Sequence, residues 1–397
     1  VLSPLPPSAT SFSLTYNATP SQTRTSSLRF PSPPLAASAH SLLSLAAASK
    51  PADVYLLPST PREANAAALG RGRFATVLRC RRRDGGGKDV ALKIIDKKAF
   101  WKRVGKGQER ADTLVRELAT SALCASTRRF APYFVGVKGC LEDKTQLAIE
   151  MEYVSGKDLF QVLKQRTENR LLEPVAKNYI FNALTAVQHL QDLGIAHRDM
   201  KLANMLSVTD GHETGVFVKI GDFGMATLVD AKDGLVRGRC GTPGYVAPEI
   251  LTATAQSGYK NVCDVFSVGV VMFILLCGYE PFYGETDKEV VEANKKGADG
   301  VEFSEAVWDE VSEDARVLIK SLLNKDPETR ITSGEALRHV WFDGCDAKRL
   351  FEEKEKGELE RTSTRSSLGM DSLSLGSDRG SGAQETQDEA LFRCTIL

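Results

Sequence analysis

Four side chains close together in the sequence could carry out phosphoryl transfer. The string His197-Arg198-Asp199-Met200-Lys201-Leu202-Ala203-Asn204 puts an aspartate, a lysine and an asparagine on one loop, and Asp222-Phe223-Gly224 adds a second aspartate at a short turn. Moving a phosphoryl group needs a base to orient the incoming hydroxyl and carboxylate or amide oxygens to hold magnesium. It also needs a cation to absorb charge on the phosphoryl oxygens. Asp199, the pair Asn204 and Asp222, and Lys201 answer those needs in turn. Each carboxylate taken singly reads as a solvated loop residue or a helix cap; the order and spacing of the set carry the reading.

Upstream, Leu69-Gly70-Arg71-Gly72-Arg73-Phe74-Ala75-Thr76-Val77 is glycine-rich. Glycine lets backbone approach phosphates without a side-chain clash, although an ordinary hairpin turn can look the same. Val90-Ala91-Leu92-Lys93 follows at strand spacing. Ala68 to Arg82, Asp89 to Ile95 and Gln146 to Tyr153 read as strands, with the turn Asp84-Gly85-Gly86-Gly87 between the second and third strands. Helices are expected over Ala111 to Cys124, Leu159 to Lys164, Glu173 to Leu193, Asn261 to Leu276, Ser312 to Leu323 and Ser333 to His339. A small sheet-rich half therefore precedes a larger helical half.

From about Leu69 to Phe342 these strings resemble the catalytic domain of the eukaryotic protein kinases. The resemblance implies an α+β, two-lobed fold, with a β-rich N-lobe over residues 66–152 and a helical C-lobe over 153–342. It implies that Lys93 pairs the α- and β-phosphates of ATP and a glutamate on the next helix. Glu117 is the first choice for that glutamate and Glu109 the second. Ser121, one turn past Glu117, stands where the family carries a bulky apolar residue, which weakens the expected packing of this helix. Leu69, Gly70, Gly72, Ala75, Val77, Ala91 and Leu206 are expected ATP contacts. Met151 is the expected gatekeeper, and the Glu152 carbonyl and Val154 N–H are expected at the adenine edge.

By the same resemblance, Asn204 and Asp222 hold Mg2+, and Asp199 and Lys201 serve the transfer itself. Thr242, in Gly241-Thr242-Pro243-Gly244-Tyr245-Val246-Ala247-Pro248-Glu249, bridges toward both. Lysine two places past Asp199 points to Ser/Thr specificity. Asp264 anchors the catalytic loop, and Arg330 pairs with Glu249. The docking loop and Gly278-Tyr279-Glu280-Pro281-Phe282 are most similar to the calmodulin-dependent kinase group, although no EF-hand spacing occurs in this chain. The implied activity is ATP- and magnesium-dependent phosphorylation of protein hydroxyls. The alternative is a pseudokinase or scaffold binding module. A small-molecule kinase is a third reading, against which the docking loop argues.

Regulation and specificity are also legible. Leu228 to Gly241 contains no hydroxyl residue, and Arg237-Gly238-Arg239 occupies the usual activation-loop phosphosite. Activity without loop phosphorylation is expected, with Asp230 or Asp233 as a fixed counter-charge to Arg198. Asp158 matches the acid with which basophilic kinases bind arginine three residues before the acceptor. Ala203 and Ile274 stand where two further acids would deepen that preference, so it should be moderate.

The chain has 397 residues, with 51 basic and 51 acidic side chains. This balance argues against a strong nucleic-acid binder. The 8 cysteines show neither zinc spacing nor a small disulfide framework. The longest apolar run, Val265 to Cys277, is shorter than the roughly 20 residues a spanning helix needs. Residues 1–62, rich in Ser, Pro and Ala, read as a disordered tail or a plastid-type transit peptide. Residues 346–397 read as a flexible tail, with a helix over Lys348 to Arg361. Cys394-Thr395-Ile396-Leu397 fits a prenylation signal. That favours the cytosol with peripheral membrane association, and the transit-peptide reading favours the plastid.

Overall fold

The computed structural model describes residues 11–19, 22–29, 50–85, 87–208, 217–254 and 257–356. Cys394 and the rest of the expected C-terminal tail past residue 356 lie outside this set, as do residues 1–10, 20–21 and 30–49 and Gly86 of the expected turn. Two parts of the N-terminal expectation are corrected. Strands β1 (Ser11–Thr19) and β2 (Gln22–Arg29) pair as an antiparallel hairpin.

The folded lobe also begins earlier than Ala66. Helix α1 (Pro51–Val54) leads into β3 (Tyr55–Leu56), and Tyr55 is 1% exposed. After helix α2 (Pro61–Ala67), strands β4 (Ala68–Arg71), β5 (Ala75–Arg82) and β6 (Val90–Asp96) follow. The stretch 68–82, expected as the first and second strands, is β4 and β5 around a turn. Both β3 and β4 pair with β5, as two halves of one interrupted edge strand. Helix α3 (Lys97–Gly105), which the sequence reading did not anticipate, buries Phe100. Helix α4 (Thr113–Ser126) and strands β7 (Val137–Glu142) and β8 (Gln146–Glu152) complete the lobe. The sheet is antiparallel throughout, in the order β3-β5-β6-β8-β7 with β4 beside β5. Val90 and Leu92 pack with Tyr55, Leu78 and Cys80. Ile95 packs with Phe100 and with Leu118 of α4. Period-2 alternation along β6 sends these two sets to opposite faces, and Lys93 shares the parity of Ile95.

The second lobe carries α5 (Leu159–Lys164), α6 (Glu173–Asp192), β9 (Ile195–Ala196), β10 (Met205–Val208), β11 (Phe217–Ile220) and β12 (Thr227–Leu228). It continues with α7 (Pro248–Thr252), α8 (Cys263–Cys277), α9 (Asp287–Asn294), α10 (Glu313–Leu322) and α11 (Ser333–Leu337). Every residue of α8 is buried, as expected of a helix apolar on all sides. Gly269 permits its contact with α10, because a Cβ there would come within 2.8 Å of Leu322 Cβ. Arg330, 3% exposed, grips both oxygens of Glu249 (2.6 and 2.8 Å) and joins the docking loop to the lobe base. A further helix runs over 346–356. Among the described residues, no helix is long and apolar enough to cross a membrane, and the seven cysteines are all free.

Candidate active site

Strand pairing places the glycine-rich turn and Lys93 on adjacent strands, with Val77 opposite Lys93. The turn is closed by Gly72 N–H donating to the Ala75 carbonyl (2.7 Å). A Cβ added at Gly70 would meet nothing within 4 Å, so packing alone does not demand glycine there. Leu69 is 47% exposed, an apolar side chain left uncovered beside Gly70.

Lys93 Nζ donates to Glu117 Oε1 and lies 3.2 Å from Asp222 Oδ1. Burial alone would lower the pKa of this ammonium, but the carboxylates of Glu117 and Asp222 carry it upward. The expected pair is therefore made by Glu117. Glu109 instead accepts from Thr113 Oγ1 (2.9 Å) and pairs with Arg73 (3.5 Å). Ser121 does not displace the helix. Its hydroxyl bonds back to the Glu117 carbonyl (2.8 Å), which satisfies the buried oxygen locally. Phe223 packs on His197 (5.0 Å between ring centroids) and tilts against Phe134 (6.1 Å).

Met151 and Glu152 end β8, and Glu152 Oε2 accepts from Lys219 (2.8 Å). Among the described residues, no hydrogen bond engages the Val154 amide. Ala91 is buried in β6, and Leu206 lies in β10.

The loop 197–204 hangs from one buried carboxylate. Asp264, wholly buried, accepts the backbone N–H groups of His197 and Arg198, each at 2.7 Å. Burial pushes its carboxyl up, and the two amides and the neighbouring His197 and Arg198 pull it back. Asp199 is then surrounded by partners. Thr242 Oγ1 donates to Oδ1 (2.6 Å), and Asn204 Nδ2 donates to Oδ2 (3.0 Å). Lys201 Nζ lies 2.8 Å from Oδ2 and donates to Thr242 Oγ1 (2.9 Å). Asp222 has φ 56°, and its side chain is 54% exposed. The adjacent Lys93 charge holds its carboxyl below the ordinary range, against the effect of burial. The arrangement can orient a hydroxyl at Asp199 and offer oxygens at Asn204 and Asp222, with cations on either side.

Asp158 caps α5, its Oδ1 accepting from Gln161 N–H (2.8 Å). Ala203 is exposed, whereas Ile274 is 4% exposed inside α8. The expected counter-charge to Arg198 is corrected. Asp230 and Asp233 pair with Arg237, at 3.4 Å and 3.3 Å from its Nη1. Arg198 donates to the carbonyls of Met225 (2.8 Å) and Arg237 (3.1 Å) and to Tyr259 Oη (3.3 Å). Tyr259 had no motif to announce it. Tyr55 was missed as well: its hydroxyl donates to Glu150 Oε2 (2.7 Å), one residue before Met151.

Residues 64–342 match the protein kinase domain family. The chain is 37% identical over 290 residues to the probable serine/threonine-protein kinase fhkD of Dictyostelium discoideum, covering 71% of this chain and 37% of that protein. It is 36% identical over 297 residues to the probable serine/threonine-protein kinase fhkC of the same organism, covering 75% of this chain and 47% of that protein. It thus spans less than half the length of either. With the calcium/calmodulin-dependent protein kinase type 1B of Homo sapiens it shares 36% identity over 276 residues, 70% of this chain and 74% of that protein.

Proposed function

This chain belongs to the protein kinase domain family, and we propose that it is an active serine/threonine protein kinase that moves the γ-phosphoryl group of ATP to protein hydroxyls. One observation carries the reading. The Lys93–Glu117–Asp222 set and the Asp199–Lys201–Thr242–Asn204 set are both assembled in the same structure.

In this reading, Asp199 orients the acceptor hydroxyl and takes its proton, while Lys201 faces the charge that develops on the transferring group. Thr242 fixes both side chains. Lys93 holds the α- and β-phosphates, and the turn at Gly70 and Gly72 covers them. Leu69, Val77, Ala91 and Leu206 wall the adenine, with Met151 behind it. Asn204 and Asp222 fit a magnesium ion, a hard cation that takes oxygen donors. Asp222 is open to the cleft, and Asn204 spends its N–H on Asp199, which leaves its amide oxygen for a ligand. A magnesium ion held by Asn204 and Asp222 would supply positive charge against the phosphate oxygens.

Peptide phosphorylation with ATP and magnesium tests the proposal. Transfer is expected from the unmodified protein and not from Asp199→Asn; a variant with near-normal turnover would overturn the assignment. Asp158 supplies one half-exposed carboxylate, its Oδ1 engaged as a helix cap, for a substrate arginine, a contact worth roughly 0–1 kcal/mol. About fivefold preference for arginine three residues before the acceptor is therefore expected.

A further inference from the structure

Behind the strand that leads to the expected adenine edge stands a carboxylate that the proposed transfer does not use. Glu150 is the residue before Met151 in β8 and pairs with Leu92 of β6. By strand alternation it faces away from Lys93 and Met151. On that side Val90, Leu92, Leu78, Cys80 and Ala148 form an apolar cluster. Glu150 is 9% exposed. An aliphatic side chain would pack on this face without burying a charge.

The carboxylate is instead gripped from the far edge of the sheet. Tyr55 Oη donates to Glu150 Oε2 (2.7 Å), and Arg82 Nη1 reaches the same oxygen at 3.2 Å. These partners stand 95 and 68 residues before it in the chain. Tyr55 and Arg82 are themselves opposed across β3 and β5, and the Arg82 guanidinium lies over the Tyr55 ring, 5.9 Å from its centroid. Burial and the Glu150 carboxylate push the Tyr55 hydroxyl well above the ordinary phenol range, so it stays a donor.

A buried carboxylate is a weak source of stability, because desolvation offsets much of the attraction; what its directional contacts can supply is a fixed register. A second fixed point lies three residues further on. The Arg79 guanidinium, which also donates to Asp89, lies over the Tyr153 ring, 4.8 Å from its centroid. Between the two points stand only Met151 and Glu152, the expected gatekeeper and the expected adenine-edge carbonyl. An edge made of backbone groups depends on where the backbone sits, and hydrogen bonds weaken steeply with misalignment. Resting on the kinase reading above, we infer that Tyr55 and Arg82 are positioning residues: through Glu150 they set the place of Met151 and Glu152, and with it the affinity for the adenine of ATP.

The test separates position from stability. Tyr55→Phe leaves Glu150 short of a partner and should lower both melting temperature and nucleotide affinity. In Tyr55→Phe/Glu150→Leu both polar partners give way to apolar groups of similar size, which is close to neutral for stability, and Arg82 keeps Asp84 (3.1 Å). This double variant should melt close to the wild type. It should still raise KM for ATP about tenfold, with kcat within about twofold and KM for the peptide unchanged, the pattern of lost ground-state binding. Displacement of a fluorescent ATP analogue, read without turnover, should show the same loss. Glu150→Gln keeps an acceptor for Tyr55 Oη and should hold KM for ATP within about twofold of the wild type at any melting temperature.

A double variant that recovers ATP affinity along with its melting temperature would show that the trio only stabilises the sheet, and would overturn the inference. A loss in Glu150→Gln equal to that of the double variant would overturn it as well. Peptide turnover with an unaltered KM for ATP in the double variant leaves the kinase reading intact and removes this one. Nucleotide affinity lost in the double variant, from a wild type that binds nucleotide but phosphorylates no peptide, would sink the kinase reading and leave this one standing.

Discussion

Two cationic centres flank the cleft, and they are balanced differently. At Lys93, one ammonium meets two carboxylates, Glu117 and Asp222. At Arg198, three guanidinium groups, its own with those of Arg110 and Arg116, meet one carboxylate, Asp112, and several carbonyls. The first centre has its acids in place before any phosphate arrives. The second holds its shape by hydrogen bonds to neutral groups, which cost little to exchange because each is worth only about 0.5–1.5 kcal/mol net. Order in the loop and neutrality of its charges are therefore separate properties in this molecule.

The balanced centre should be the less tolerant. Lys93→Met leaves the buried Glu117 without its partner and removes the cation proposed to hold the phosphates. Asp222→Asn removes the charge proposed to hold magnesium. Each should lower turnover by about a thousandfold, in the range of a lost charge stabiliser at a reaction centre, with circular dichroism unchanged. Near-normal turnover in either variant would make the comparison meaningless.

The aromatic support behind Phe223 distinguishes the centres through pH. His189 is 4% exposed, stacks on Phe130 (4.1 Å) and tilts against Phe134 (5.9 Å), which in turn meets Phe223. Burial lowers its pKa from 6.5 to about 4, helped by Arg129 and opposed by Asp192. Between those values the unfolded chain binds the extra proton, so this stability is complete above pH 6.5 and is lost as pH falls toward 4. The loss approaches 3 kcal/mol in order of magnitude. Thermal melts across that window should show a steeper pH dependence for the wild type than for His189→Phe; parallel curves would refute the role.

What could be read from sequence followed from how local the constraint was. Asp199, Lys201, Asn204 and Asp222 were legible because the chemistry fixes residue types within short windows. The choice between Glu117 and Glu109 needed the path of the chain, which turns Glu109 toward Thr113 and Arg73. The counter-charge to Arg198 was misassigned for the same reason: Arg237, four residues past Asp233, takes both loop acids through the shorter closure. Tyr55 lies before the family match and has no local signal, yet the sheet buries it against Glu150. Helix α3 is short and mixed in character, and it forms because Asp96 caps it and Phe100 finds the core.

Asp112 tests the unbalanced centre directly. Asp112→Asn removes the carboxylate that Arg110 and Arg116 share, and should cost about 1–3 kcal/mol, the usual penalty for stranding a partly buried partner. Added phosphate should restore melting temperature more in this variant than in the wild type, and chloride at equal ionic strength should not. Equal recovery with both salts would show general screening and no specific demand for a dianion.

The smallest effect concerns the loop itself. Asp230, Asp233 and Arg237 form an exposed clamp, with side chains 35–45% exposed, and such pairs contribute about 0–1 kcal/mol. Tyr259 Oη donates to the Gly238 carbonyl (2.8 Å), and the Val236 and Tyr259 backbones exchange hydrogen bonds at 2.7 and 2.9 Å. These contacts hold the loop independently of the clamp. Phosphatase treatment should therefore change peptide turnover by less than about twofold, and Arg237→Ala should lower it by less than about fivefold, the rate equivalent of 1 kcal/mol. Turnover abolished by phosphatase and restored by a kinase acting between Asp222 and Glu249 would mean that the loop requires a phosphate of its own. The Arg198 centre would then be the receptor of that phosphate.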